Sequence, residues 1–241
     1  MKLTLVFLFA FSLAYSQHKR ILVLAEHDKN HSPYVIAATK WLDSLAAAND
    51  LAVEYSETPK SSLAGYDLIF QMNYPPYMWS DTAKAAFEKY IEEGRGGWVG
   101  VHHATLLGEF DGYAMWNWFS DFMGGIRFKD YIANFASGIV NVEKHKHPVM
   151  NGIPKKFTIA KDEWYTYDKS PRPNVTVLAS VDESSYQPAT DKKMGDHPVV
   201  WTNTKMKARN VYIFMGHDPV LFNDKVYKRL LTNALLWAAG K

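Results

Sequence analysis

From Arg20 to Val101 the chain alternates two kinds of apolar pattern, and that alternation constrains its fold more than any other feature. Arg20-Ile-Leu-Val-Leu-Ala25 is a short continuous apolar run, the mark of a strand buried on both faces, and a parallel sheet is its natural host. Tyr34, Ala38, Trp41, Leu42 and Leu45 then recur at helical spacing, which predicts a helix ending near Asn49. Leu51–Tyr55 reads as a second strand, and Asp67–Asn73 as a third, closed by Pro75-Pro76. Ser80 is placed to cap a helix that turns Ala83, Phe87, Tyr90 and Ile91 inward and stops at Gly94. Gly97–Val101 is the fourth strand. Strand and helix in regular succession predict an α/β doubly wound, mostly parallel sheet.

The remainder is less regular. Trp116–Met123 is expected as a short helix stopped by Gly124-Gly125, and Ile132–Glu143 as an exposed alternating strand. Val175–Val181, Pro198–Thr202 and Asn210–Met215 read as strands, and a last helix runs from about Asp224 to Ala239 with Val226, Leu230, Ala234 and Trp237 on one stripe. No Pro/Gly/Ser-rich linker or repeat interrupts the chain. Residues 17–241 are therefore expected to form a single domain with an elaborated middle segment.

Residues 1–16 are expected to be a cleavable signal peptide: Lys2, an apolar run from Leu3 to Leu13, then Ala14-Tyr-Ser16 with small residues before a cut at Gln17. The run is too short to span a bilayer, which needs about 20 apolar residues. The mature protein is expected to be periplasmic or secreted, with no membrane association. With 27 basic against 25 acidic residues and no basic block, nucleic acid is not an expected partner. The absence of cysteine excludes disulfides, thiolate metal sites and cysteine nucleophiles. No glycine-rich nucleotide fingerprint follows the first strand.

In an open parallel sheet the ligand crevice lies beyond the carboxyl ends of the strands. Here those positions are polar: Glu26-His27-Asp28 and His31 after the first strand, Asn73 after the third, His102-His103 after the fourth, and Gly216-His217-Asp218 after Asn210–Met215. His102 stands where a nucleophile elbow would carry serine or cysteine, and imidazole there suits acid/base work or metal ligation. On an extended chain His102 and His103 point to opposite faces, so His103 is expected to turn away and bond a loop carbonyl, unless the strand has already turned. Asp162-Glu163-Trp164-Tyr165, an acidic pair flanked by aromatics, resembles the lining of a polar small-molecule pocket, although Trp164 equally suits a core and Asp162 a turn cap. Trp116 carries the same ambiguity. His31, His102 and His217 are candidate ligands for a divalent metal such as zinc, with Glu163 beside them, but no ligand pair has diagnostic spacing.

Gly100-Val-His-His-Ala104, Asp162-Glu-Trp-Tyr165, Val181-Asp-Glu-Ser-Ser-Tyr186, Asp196-His-Pro-Val-Val-Trp201, Met215-Gly-His217 and Leu236-Trp-Ala-Ala-Gly240 resemble, in this order, the ThuA-like (trehalose utilisation) family. The resemblance covers nearly all of the mature chain. It implies a class I glutamine amidotransferase-like, flavodoxin-like fold and a role in the use of trehalose and related disaccharides. Glutamine hydrolysis does not come with that fold, because the elbow here holds His102. Relatives often carry a histidine after the Gly-Gly of the middle segment, where this chain reads Gly124-Gly-Ile126. The resemblance implies a pocket of His31, His102, Glu163, Tyr165 and His217; within it the catalytic set is expected to be His102 and Glu163 as an acid/base pair, with His217 orienting or polarising the substrate. His27, Asn73, His103, Trp116, Trp164 and Asp218 join His31 and Tyr165 as candidate contacts to a small-molecule sugar. Three readings stay open: an enzyme acting on a disaccharide or keto-glycoside, a metal-dependent hydrolase, and a sugar-binding accessory protein. Homo-oligomerisation is open as well.

Overall fold

The computed structural model describes residues 18–241, so the expected signal segment lies outside the described residues. In chain order the first half holds β1 (Lys19–Ala25), α1 (Ser32–Asn49), β2 (Leu51–Ser56), β3 (Leu68–Met72), α2 (Asp81–Glu93), β4 (Gly97–Val101) and α3 (Asn117–Phe122). There follow β5 (Phe128–Tyr131), β6 (Ala136–Val142), β7 (Lys156–Asp162), β8 (Tyr165–Tyr167), β9 (Thr176–Gln187), β10 (Pro198–Thr202), β11 (Asn210–Ile213) and α4 (Lys225–Ala239).

Nine strands form one sheet in the order β2-β1-β3-β4-β11-β10-β9-β6-β7, and β5 pairs with β8 in a separate ribbon. The first five pair in parallel, with β11 as the fifth strand of a flavodoxin-like 2-1-3-4-5 arrangement. From β11 onward every pairing is antiparallel. The elaborated middle is thus an antiparallel extension of the same sheet, inserted between β4 and β11. β3, β4, β10 and β11 are buried at every position, as continuous apolar runs require, while β7 alternates and covers one face only. The expected exposed strand over Ile132–Glu143 is corrected: β6 begins only at Ala136 and lies inside the sheet between β9 and β7, with Val140 fully buried.

Successive residues of β4 show how the sheet is covered. A Cβ on Gly97 would sit 2.2 Å from the carbonyl oxygen of Ala238, so α4 packs there at backbone distance and only glycine fits. The next residue, Trp98, points the other way and meets Phe87 of α2 and Phe119 and Phe122 of α3. α1 shares the α4 side, because Tyr34 and Tyr227 join hydroxyls at 2.6 Å. Ser80 caps α2 by accepting from the Ala83 N–H, and Gly94 closes it at φ 70°. Asp224 caps α4 by accepting from the Val226 N–H at 2.6 Å. Among the described residues no helix is long and apolar enough to cross a membrane.

Candidate functional site

The order reverses between β1 and β3, and the carboxyl ends of β1, β3, β4 and β11 open onto one crevice. β4 ends in a sharp turn. His102 takes φ 42°, a conformation costly for a residue with a Cβ, and the next residues coil into a short 3-10 turn through Thr105. Its carbonyl accepts from the Tyr212 hydroxyl at 2.8 Å and from Thr105 at 3.2 Å, which holds the turn in place. The backbone of Gly216 passes close behind, where a Cβ would come within 3.0 Å of the His102 Cβ. Because the strand has turned at His102, His102 and His103 both reach the crevice, so the expectation that only one would do so is corrected.

Four imidazoles meet there. The His31 ring lies 4.4 Å from that of His103, 4.8 Å from His217 and 5.6 Å from His102, and His102 lies 5.1 Å from His217. One ligand nitrogen from each of His31, His102 and His217 falls within 4.8 Å of the other two. His31 stands at the start of α1, its Nδ1 held by Asp28 at 2.8 Å and by Glu26 at 3.2 Å. Nε2 of His31 is buried without a hydrogen-bond partner, as are both ring nitrogens of His102. Glu163 approaches His102 Nε2 at 3.4 Å, without the alignment of a hydrogen bond. The Tyr165 ring lies 4.5 Å from His102. Phe135 closes over His217 at 4.6 Å.

Burial sets the protonation states. It pushes the Glu163 carboxyl up to about 7. Burial, with the neighbouring imidazoles, holds His102 well below the usual histidine value and brings His217 down to about 4. Burial alone would raise Glu26, but hydrogen bonds to His103 and His31 override it and leave the carboxyl at about 2. His31 is drawn the other way: burial lowers it, and Glu26 and Asp28 outweigh that to raise it. The arrangement suits a divalent metal, since orphaned buried imidazole nitrogens backed by carboxylates are the usual donors of a three-histidine site.

A family model described as trehalose utilisation, ThuA, matches residues 20–238. The chain belongs to the ThuA family. Among solved structures, a ThuA-like protein from Bacteroides uniformis is similar at TM-score 0.80 and 29% identity, covering 92% of this chain and 91% of that one. A ThuA-like protein from Parabacteroides merdae follows at TM-score 0.71 and 19% identity, covering 92% and 90%. The glutaminase domain of CTPS from Trypanosoma brucei, with bound acivicin, shares the fold at TM-score 0.53 and 10% identity, covering 90% and 93%. No curated protein matches the chain in sequence. Membership of the ThuA family gives the chain a carbohydrate-related function.

Of the candidate residues, this ThuA chain brings His31, His102, His103, Glu163, Tyr165 and His217 together. Others are corrected. Trp164 is fully buried, donates to the Ala136 carbonyl at 2.8 Å and stacks on Phe214, so it is core and offers no face to a sugar. Trp116 is buried among Trp79, Phe87 and Phe119 and donates to Glu88. His27 is exposed. Asn73 and Asp218 frame the site and leave little for a ligand: Asn73 is sealed, donating to the Gly216 carbonyl, and Asp218 caps the following turn and pairs with Lys161 at 2.8 Å. Asp162 proves to be an anchor. Its buried carboxyl accepts the N–H groups of Gly216, His217 and Asp218 at 2.9, 3.1 and 3.2 Å. Ile126, where relatives often carry histidine, lies in the apolar core. Sequence reasoning missed Glu26 and Asp28 as partners of His31, although both follow β1 directly. It also missed Phe135, which no local pattern marks.

Proposed function

We propose that this ThuA-family protein is an exported enzyme that cleaves a disaccharide or keto-glycoside, with His31, His102 and His217 as a cage for a divalent metal such as zinc and Glu163 as proton donor. The observation that carries it is the meeting of three imidazoles from the ends of β1, β4 and β11, with sealed, partnerless nitrogens on His31 and His102, beside a carboxyl. His102 has no exposed surface. A sealed ring cannot hand a proton to a substrate, so its role moves from acid/base partner to ligand. A bound zinc supplies Lewis acidity and lowers the pKa of a bound water.

The remaining chemistry belongs to the chain. Glu163, set at the mouth and partly exposed, donates to the leaving oxygen. The Asp28 and Glu26 carboxylates fix the His31 ring so that Nε2 faces inward. Phe135 offers an apolar face beside His217, suited to a sugar ring, while the buried Tyr165 ring backs His102. Export rests on residues 1–16 and is tested by N-terminal sequencing of the exported protein, expected to begin at Gln17.

The test of function incubates the purified protein, with and without zinc, with trehalose, other disaccharides and their 3-keto derivatives, and follows products by mass spectrometry. Turnover is expected with metal. Glu163→Gln is expected to lose about 10²- to 10⁴-fold, the usual worth of a positioned acid, while retaining zinc. Absence of turnover on every sugar, with or without metal, would overturn the enzymatic reading in favour of a sugar-binding role.

A further inference from the structure

A run of aromatic rings leads out of the crevice. Tyr165 lies against His102, Phe128 meets Tyr165 edge-on at 4.9 Å, Phe110 meets Phe128 at 6.1 Å, and Tyr77 reaches Phe110 at 5.3 Å and Tyr113 at 5.9 Å between ring centres. The last ring stands open: no Phe, Tyr or Trp side chain among the described residues is more exposed than Tyr113, at 54%. A tight hairpin presents it. Phe110 and Tyr113 pair across Asp111-Gly112, the Tyr113 N–H donating to the Phe110 carbonyl at 2.8 Å, and Asp111 and Gly112 both take positive φ, 53° and 82°. That is the pattern of a type I′ turn, which Asp-Gly favours, so the hairpin is formed before any ligand arrives. Asp111 accepts the Tyr77 hydroxyl at 3.1 Å, which ties the hairpin to the segment after β3 and uses only part of what a carboxylate can accept. Tyr74 and Tyr77 follow Asn73, whose Oδ1 accepts the His103 N–H at 3.4 Å. Burial raises the pKa of the Tyr74 hydroxyl, and the charges of Glu26 and then Tyr113 add to it; burial, Asp111, Glu26 and Asp28 together push Tyr77 up to about 12. The hairpin therefore borders the histidine crevice on its Glu26 side.

We infer that Tyr113, Asp111 and Tyr77 form a subsite for the second ring of a disaccharide, an inference that rests on the proposed cleavage and narrows its substrate class to sugars of more than one ring. A pyranose is amphipathic: its axial C–H groups suit the face of an aromatic ring, and its equatorial hydroxyls suit a carboxylate at the edge of that ring. Tyr113 supplies the open ring and Asp111 the carboxylate beside it. The far end of the crevice carries the matching feature. Phe135 packs on His217 at 4.6 Å, and His31 lies between His217 at 4.8 Å and His103 at 4.4 Å. The crevice thus runs from Phe135 along the imidazoles to the hairpin, and a sugar seated at both ends carries its glycosidic bond across the histidines.

The test titrates trehalose, maltose, cellobiose, sucrose and glucose by calorimetry into the zinc-loaded Glu163→Gln protein, in which the sugar is not consumed. At least one disaccharide is expected to bind more tightly than glucose. Adding Tyr113→Ala is expected to weaken that disaccharide by about two- to tenfold, the worth of one aromatic contact, and to leave glucose unchanged. Tyr113→Phe, which keeps the ring, is expected to bind like the parent, whereas Asp111→Asn, which keeps the turn, weakens the disaccharide alone. Because Tyr113 is exposed, its truncation is expected to leave the urea midpoint where it was. No loss in Tyr113→Ala, or an equal loss for glucose and the disaccharide, would overturn the subsite while leaving the cleavage intact. Failure of the protein with Tyr113 in place to bind any of these sugars would overturn both. Binding by the unsubstituted protein without turnover would overturn cleavage alone, and the effect of Tyr113→Ala on that binding still decides the subsite.

Discussion

At the residue scale, a carboxyl that never meets a substrate governs where His217 lies. Asp162 gathers three consecutive N–H groups from the Gly216–Asp218 loop, and Lys161 beside it on β7 pairs with Asp218. Asp162→Asn keeps the shape but gives up one acceptor oxygen and its charge. Leaving a buried N–H unmet costs about 1–3 kcal/mol, so the variant is expected to unfold at lower urea by that amount and to lose zinc affinity with it. A denaturation midpoint equal to the parent's would show the loop is held by other means. The imidazoles were legible one by one, because each follows a strand end and the crevice rule points there. Their pairings were not. Glu26 and His103 are 77 positions apart, and no spacing in the chain reports a contact closed only by the fold. Trp164 misled because an aromatic beside an acid looks the same in sequence whether it faces a ligand or, as here, Phe214.

At the scale of elements, legibility follows burial. β1, β3 and β4 are covered on both faces and their continuous apolar runs announced them. β5 and β8 are too short to show a period, and β9 was expected only to Val181 because register shifts break its pairing with both neighbours. The contact between β4 and α4 makes a clean test. Gly97→Ala would drive a methyl group against the Ala238 carbonyl, which cannot move without carrying the helix. Overpacking of this kind costs about 1–3 kcal/mol, read as a lower urea midpoint. In the extension, Glu183 of β9 accepts from the N–H groups of Met194 and Gly195 and faces His197 at 2.9 Å ahead of β10. Burial would raise its carboxyl, but those donors override it and hold it below the ordinary 4.5. A lowered folded-state value means that stability is present above pH 4.5 and is lost as pH falls through the lower value. Urea midpoints of the parent should therefore drop below pH 4.5 more steeply than those of Glu183→Gln.

For the whole molecule, the doubly wound half could be foreseen and the antiparallel half could not, since an apolar run does not say which way its strand points. The two halves nevertheless share one site, and anything bound there should be felt throughout. Zinc at about a hundred times its dissociation constant is expected to add about 2.7 kcal/mol of stability. For a chain of this size that is roughly 5–10 °C in the thermal midpoint. The same titration on His31→Ala should give no shift, and an equal shift in both would place the metal elsewhere.

β7 is the last strand at one rim of the sheet, four places from β11, yet its end returns to clasp the loop that follows β11. A nascent or partly opened molecule therefore holds its histidines and its Glu163 on separate pieces. The proposed site is complete only with the final closure of the chain, and an unfinished copy lacks it.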